Sequence, residues 1–264
     1  MSRADLSRVA YLDAPTPLPI AHRGGAKLPG NVGLENSLHA FRNAVSMGYT
    51  YLETDVHASR DDVVFAFHDE HLDRVTDRAG AIRDLPAADV RAARIDGREP
   101  VPELATLLQA LPDARFNIDV KSDAAVEPTI AVVRSHDAVE RVCLASFSGR
   151  RLRRVRALEP RIATSLGPAE VAMLRLAPVG WLRTTGRRRG GVCVQVPRTS
   201  HGVTVVTPGF VRRAHDCGLQ VHVWTIDDGP AMSELLDLSV DGIVTDRPDV
   251  LRDVLRARGE WAAG

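Results

Sequence analysis

A chain of 264 residues, 44% hydrophobic and 26% charged, carries enough apolar material for a sizeable core, yet no stretch of 18 consecutive apolar residues that would span a bilayer. Thirty-four basic residues balance thirty-four acidic ones, so no net field draws the protein to nucleic acid or to an anionic membrane.

After a polar leader punctuated by proline, residues 18–21 read as a first strand running into His22-Arg23-Gly24-Gly25. Residues 27–33 are loop by their Pro and Gly content. A helix comes next, with Asn36 or Ser37 as its cap, Leu38, Phe41, Ala44 and Val45 on one face, and Gly48 closing it. Residues 49–56 are aromatic and β-branched, which suits a buried strand. Alternation puts Glu53 and Asp55 on one face of it, about 7 Å apart. Two acids so placed need a cation, an arginine or water, since like charges about 4 Å apart repel by roughly 4 kcal/mol at an effective dielectric near 20. Asp61-Asp62 turns the chain, and residues 63–67 return as a strand ending at His68.

Residues 69–100 are less regular and read as a short insertion after the second strand unit. Pro102 then opens a helix with Leu104, Leu107, Leu108 and Leu111 on one face. From there strands are expected at 115–120, 142–145, 161–164, 192–196, 219–225 and 242–245, alternating with helices at 124–135, 149–158, 168–176, 208–217, 230–238 and 248–257. The run Arg187-Arg188-Arg189 reads as a solvated loop. Eight strand–helix units in this length predict an α/β protein closed as a (β/α)₈ barrel, in a single domain over residues 1–264 with its core at about 18–257. No Gly-x-Gly-x-x-Gly stands after the first strand, which argues against a dinucleotide-binding sheet.

Cys143, Cys193 and Cys217 are odd in number and form no Cys-x-x-Cys pair, so buried free thiols in a reducing compartment are the simplest account. The first seventeen residues lack the apolar core of a signal peptide. A cytoplasmic protein without a stable membrane anchor is therefore expected; nothing in the composition bears on oligomeric state.

In such barrels the chemistry lies at the C-terminal ends of the strands. Polar residues gather there: His22 and Arg23 after the first strand, Glu53 and Asp55 in the second, His68 after the return strand, Asp119 and Lys121 at the third, Trp224 at the seventh. Glu53, Asp55 and Asp119 offer oxygen ligands suited to Mg²⁺ or Ca²⁺ rather than zinc. Arg23 and Lys121 suit an anion, Gly24 and Gly25 let backbone approach one, and His22 and His68 can divide proton transfer. Metal, cations and two imidazoles around one anion are what phosphoryl transfer needs.

His22-Arg23-Gly24, Glu35-Asn36, Glu53-Thr54-Asp55, His68-Asp69, Asp119-Val120-Lys121, Val223-Trp224-Thr225 and Thr245-Asp246-Arg247-Pro248 together resemble the glycerophosphodiester phosphodiesterase family, in order from residue 18 to about 250. The resemblance implies a phosphodiesterase-type TIM barrel and metal-dependent hydrolysis of glycerophosphodiesters to glycerol 3-phosphate and an alcohol. It implies His22 and His68 as the acid–base pair, Arg23 and Lys121 on the phosphate, and Glu53, Asp55 and Asp119 on the metal. Trp224 would line the pocket, with plain barrel packing the alternative, and Glu35 and Asn36 would support the site. A substrate hydroxyl would be the first nucleophile, giving a cyclic phosphate that water opens. The third ligand is usually Glu in the family, and Asp119 is shorter by roughly a bond length, against the ~0.2 Å tolerance of a metal site. Three alternatives stand beside this reading: a barrel that binds phosphorylated ligands without turnover, a lysophospholipase D-like activity, and a glycosidase using two rim carboxylates ~5–9.5 Å apart.

Overall fold

The computed structural model describes residues 9–177 and 180–261. Eight parallel strands form the barrel: Leu18–His22, Tyr51–Ala58, Arg115–Val120, Val142–Ala145, Ala163–Ser165, Gly191–Pro197, Gln220–Trp224 and Gly242–Thr245, referred to below as the first to eighth. Each lies beside the next, and the first strand closes the ring by pairing with the second (Ile20 opposite Tyr51) and with the eighth (Leu18 opposite Gly242). The α/β barrel read from the alternation of elements is thus the observed fold. All eight residues of the second strand are buried, because one face meets helices and the other the barrel interior.

Local sequence signals set the helices between the strands. Ser37, not Asn36, caps the helix Leu38–Ser46: its side chain accepts the Ala40 N–H at 3.1 Å. Ser148, Thr207 and Asp228 cap later helices in the same way, and proline sits in the first turn of Pro208–Asp216, Gly229–Asp237 and Pro248–Ala257. Leu104, Leu107 and Leu108 of the helix Leu104–Ala110 pack with Phe116 and Ile118 of the third strand. Arg187 and Arg188 lie in a helical turn, Thr185–Arg188, with Arg189 as its C-cap, rather than in an open loop. Basic residues are favoured at a helix C-terminus, which composition alone does not reveal.

The lower interior of the barrel is apolar, with Ile20, Tyr51, Cys143, Cys193 and Val244 in contact. The three cysteines are free and buried, as their spacing suggested. Tyr11, on the short turn Ala10–Leu12, stoppers the floor. Its ring meets that of Tyr51 edge-on, with centroids 5.4 Å apart, and Tyr51 Oη donates to the Tyr11 carbonyl at 2.6 Å.

Residues 69–100 are more ordered than their sequence suggests. Two short turns, the helix Ala87–Ala92 and a ribbon of Arg94–Ile95 with Glu99–Pro100 enclose Leu72, Ile82, Val90 and Ile95. These pack on Phe65 and Phe67 at the return strand Val64–Ala66, which runs antiparallel to the second strand. This small core fixes the segment that delivers His68. Across the barrel, Arg156 ties three elements together. It donates to Thr164 and to the Ser165 carbonyl, and pairs with Glu170 at 2.8 Å with both side chains nearly buried. Among the described residues, no helix is long and apolar enough to cross a membrane.

Candidate active site

His22, Arg23, Glu53, Asp55, His68, Asp119, Lys121 and Trp224 all line one cavity of about 540 Å³ at the C-terminal ends of the strands. The turn after the first strand is built by backbone geometry. Arg23, Gly24 and Gly25 have φ of 50°, 84° and 84°, and Asn36 answers with φ of 61°. Non-glycine residues rarely adopt this region, and it recurs where a site must be held. The two loops lock: Asn36 N–H donates to the Arg23 carbonyl at 2.9 Å, Thr54 Oγ1 donates to Asn36 Oδ1 at 2.7 Å, and Arg23 N–H donates to Glu53 at 3.2 Å. A Cβ on Gly24 would stand 2.8 Å from Ala40 Cβ, and one on Gly25 would stand 2.6 Å from Pro248 Cγ. Left-handed backbone and close packing of protein on protein therefore both favour glycine at these two positions.

The charged groups form one chain of contacts. Lys121 Nζ lies 2.7 Å from both Asp55 and Asp119, and Arg23 Nε lies 3.3 Å from Asp55. Arg23 also reaches Glu35, which pairs with Arg74, which in turn holds Asp69. Each imidazole is held at Nδ1 by a carboxylate: His22 by Asp246 and His68 by Asp69, both at 2.6 Å. With Nδ1–H donating to the acid, Nε2 is the free atom in each ring. His22 Nε2 lies 3.8 Å from Glu53. The His68 backbone is fixed as well, its carbonyl accepting from His57 Nε2 at 3.1 Å.

These contacts set the protonation states. Burial works against a charged His22, but the charges of Glu53 and Asp246 outweigh it and its pKa is raised. Burial, then the charge of Asp55, pushes Glu53 up to about 7. Burial also raises Asp119, against the pull of Lys121, whereas at Asp55 the Lys121 and Arg23 charges overcome burial and the pKa is lowered. At Asp69, hydrogen bonds from Arg74 and His68 overcome burial and bring it down to about 2.

Several residues of the site carried no role in the sequence. Asp246, at the end of the eighth strand, was visible only as part of a motif; its place on the rim was the signal. Asn117, Gln195 and His222 form a polar layer beneath the mouth: Gln195 donates to Asn117 at 3.0 Å, and His222 Nε2 donates to Gln220 at 3.0 Å. Phe147, after the fourth strand, meets Trp224 edge-on at 5.8 Å between centroids, so Trp224 both lines the cavity and packs.

Among the described residues, no three His, Cys, Asp or Glu side chains are drawn into a ready ligand set; Lys121 and Arg23 take up the acids' charge instead. The donors nonetheless suit a hard cation. They are all oxygen, Asp119 Oδ1 is buried with no hydrogen-bond partner, and Glu53 is an overcrowded acid whose charge a cation would relieve.

Residues 22–250 match the model of the glycerophosphoryl diester phosphodiesterase family. The chain is 44% identical to a Mycobacterium tuberculosis protein named "Probable glycerophosphodiester phosphodiesterase 2", over 99% of each chain. It is 27% identical to the glycerophosphodiester phosphodiesterase of Caldanaerobacter subterraneus, over 92% of this chain and 99% of that one. The fold matches that of an Oleispira antarctica phosphodiesterase solved in complex with the product sn-glycerol-3-phosphate, with a TM-score of 0.77, 22% identity, and 94% and 99% of the two chains covered. The chain belongs to the glycerophosphoryl diester phosphodiesterase family and is an enzyme, a phosphoric diester hydrolase.

Proposed function

We propose that the protein hydrolyses glycerophosphodiesters to glycerol 3-phosphate and an alcohol, with His22 and His68 as the acid–base pair and a divalent ion, Mg²⁺ or Ca²⁺, at Glu53, Asp55 and Asp119. The observation that carries this reading is the pairing of both imidazoles with carboxylates at Nδ1, in one mouth with Arg23 and Lys121. The product complex of the Oleispira protein, on the same fold, supports it.

His22, favoured in its charged form, is suited to give a proton to the leaving alcohol as its P–O bond breaks. His68 Nε2 takes the proton of the substrate's own attacking hydroxyl in the first step; in the second the rings exchange roles, His22 taking the proton of the attacking water and His68 giving its proton to the oxygen that leaves as the cyclic ester opens. Arg23 and Lys121 neutralise the phosphate oxygens, and Trp224 bounds the pocket beside them. A bound divalent ion would supply Lewis acidity and further neutralisation at phosphorus. A barrel that only binds phosphorylated ligands is the second reading; its motive is the shortened Asp119, already paired with Lys121.

The test is release of glycerol 3-phosphate from glycerophosphocholine. EDTA should abolish it, and His22→Ala or His68→Ala should lower kcat by at least ~10²-fold. Undiminished turnover in either variant would remove the acid–base assignment, and calorimetric binding without product would favour the second reading.

A further inference from the structure

One side-chain bridge crosses the barrel beneath the charged mouth. Gln195 reaches from the sixth strand to Asn117 on the third, and its Nε2 donates to Asn117 Oδ1 at 3.0 Å. Both residues line the cavity. Asn117 stands opposite Glu53 in the strand register and one inward position below Asp119, about 7 Å along the strand. Cys193, one inward position below Gln195, already belongs to the apolar interior that Tyr11 shuts. The bridge is therefore the last polar layer a ligand meets on its way down.

Its neighbours fix which way the amides face. His222 gives its Nε2–H to Gln220, which leaves Nδ1 an acceptor, and Gln195 Nε2 lies 3.4 Å from that Nδ1. The amide nitrogen of Gln195 thus sits between two acceptors, and Oε1 is its spare atom. At Asn117 the oxygen is bonded and Nδ2 is spare. Among the described residues neither Nδ2 nor Oε1 has a hydrogen-bond partner in the protein, although Asn117 is only 4% exposed. An unused donor and an unused acceptor at such a depth are costly unless something meets them. A hydroxyl meets both, since it accepts one hydrogen bond and gives another; an ionised phosphate oxygen only accepts, and a hydrocarbon does neither.

We propose that Asn117 and Gln195 bind the terminal hydroxyl of the substrate's glycerol, the one that does not attack phosphorus. This rests on the glycerophosphodiester hydrolysis proposed above, and it names the residues that select glycerol over a simpler diol. With the phosphate at Arg23 and Lys121 and the middle hydroxyl turned to phosphorus, the third carbon carries the remaining hydroxyl down to the amide bridge.

The experiment compares kcat/KM, by choline release, for glycerophosphocholine and for the analogue whose terminal CH₂OH is a methyl group, which keeps the attacking hydroxyl. The analogue leaves the amide pair unmet, so the wild type should favour glycerophosphocholine by about tenfold or more. Gln195→Met and Asn117→Leu, each close to the natural volume, should bring that ratio to within about threefold of unity. The ratio is unaffected by the fraction of protein folded. Calorimetry with glycerol 3-phosphate and propane-1,2-diol 1-phosphate repeats the comparison without turnover, so a variant that no longer reacts is still read. A wild-type ratio near unity would overturn the proposal. So would a preference that survives both variants, since a merely structural role lowers both constants together and leaves their ratio alone. No choline from either ester, with the calorimetric preference intact and lost in the variants, would overturn the hydrolysis reading and leave the hydroxyl site standing.

Discussion

Asp246 Oδ1 stands 2.6 Å from Nδ1 of His22, 224 residues earlier in the chain. Closure of the barrel produces this contact: the first and eighth strands pair with Ala21 opposite Thr245, so His22, which ends the first strand, meets Asp246, which follows the eighth, at the rim. Asp246 acts here as a positioning residue, fixing the tautomer and favouring the charged ring. Asp246→Asn should lower kcat by roughly 10²-fold with little change in KM. Since Asp246 helps to raise the pKa of His22, the limb of the pH profile governed by His22 should move to lower pH. Asp246→Glu should recover part of the loss. A kcat loss with an unmoved limb would point to a merely structural role.

Glu53 makes the reverse prediction for stability. Its pKa of about 7 in the fold lies above the ordinary 4.5, chiefly through burial. The fold therefore prefers the protonated acid, and that contribution is full below about pH 4.5 and lost as pH rises through about 7. In metal-free buffer, Glu53→Gln should match the wild type near the lower pH and exceed it by roughly 1–3 kcal/mol at pH values above about 8. Turnover should disappear in the same variant. Chemical denaturation at the two pH values is the check, and a gap independent of pH would contradict it.

Gly24 is a stability site beside the chemistry. An alanine there would need both a left-handed backbone and a Cβ 2.8 Å from that of Ala40. Gly24→Ala should cost about 2 kcal/mol or more, a fall in Tm of about 4–8 °C. A melting temperature within a degree of the wild type would mean that the helix Leu38–Ser46 can yield.

The buried pair of Arg156 and Glu170 predicts a non-additive cycle. Arg156→Met leaves Glu170 buried and unpaired and should destabilise by about 3–5 kcal/mol. Replacing both residues by Met should be much milder, within about 1–2 kcal/mol of the wild type, because the leftover charge is gone. Simple additivity of the two single losses would refute this account.

Most of the barrel was legible because its signals are local. Runs such as Arg115–Val120 and Pro248–Ala257 carry their own apolar period and stop signals, and they stand at the expected bounds. Strand alternation likewise put Glu53 and Asp55 on a shared face, and both line the cavity. The features that escaped notice depend on closure and packing. No pattern near His22 announces Asp246, and none near Gly25 announces Pro248. Residues 69–100 looked irregular because their hydrophobic residues are spread over short turns, each too brief to show a period, yet they assemble one small core.

Tyr11 gives the molecule a direction. With its ring wedged under Tyr51 and its carbonyl tied to that hydroxyl, the barrel is shut at the rear. Both fragments of a cleaved ester must leave by the door through which the whole ester came in. Entry and exit thus share one opening, and the rim that admits the substrate is also the surface from which the products are released.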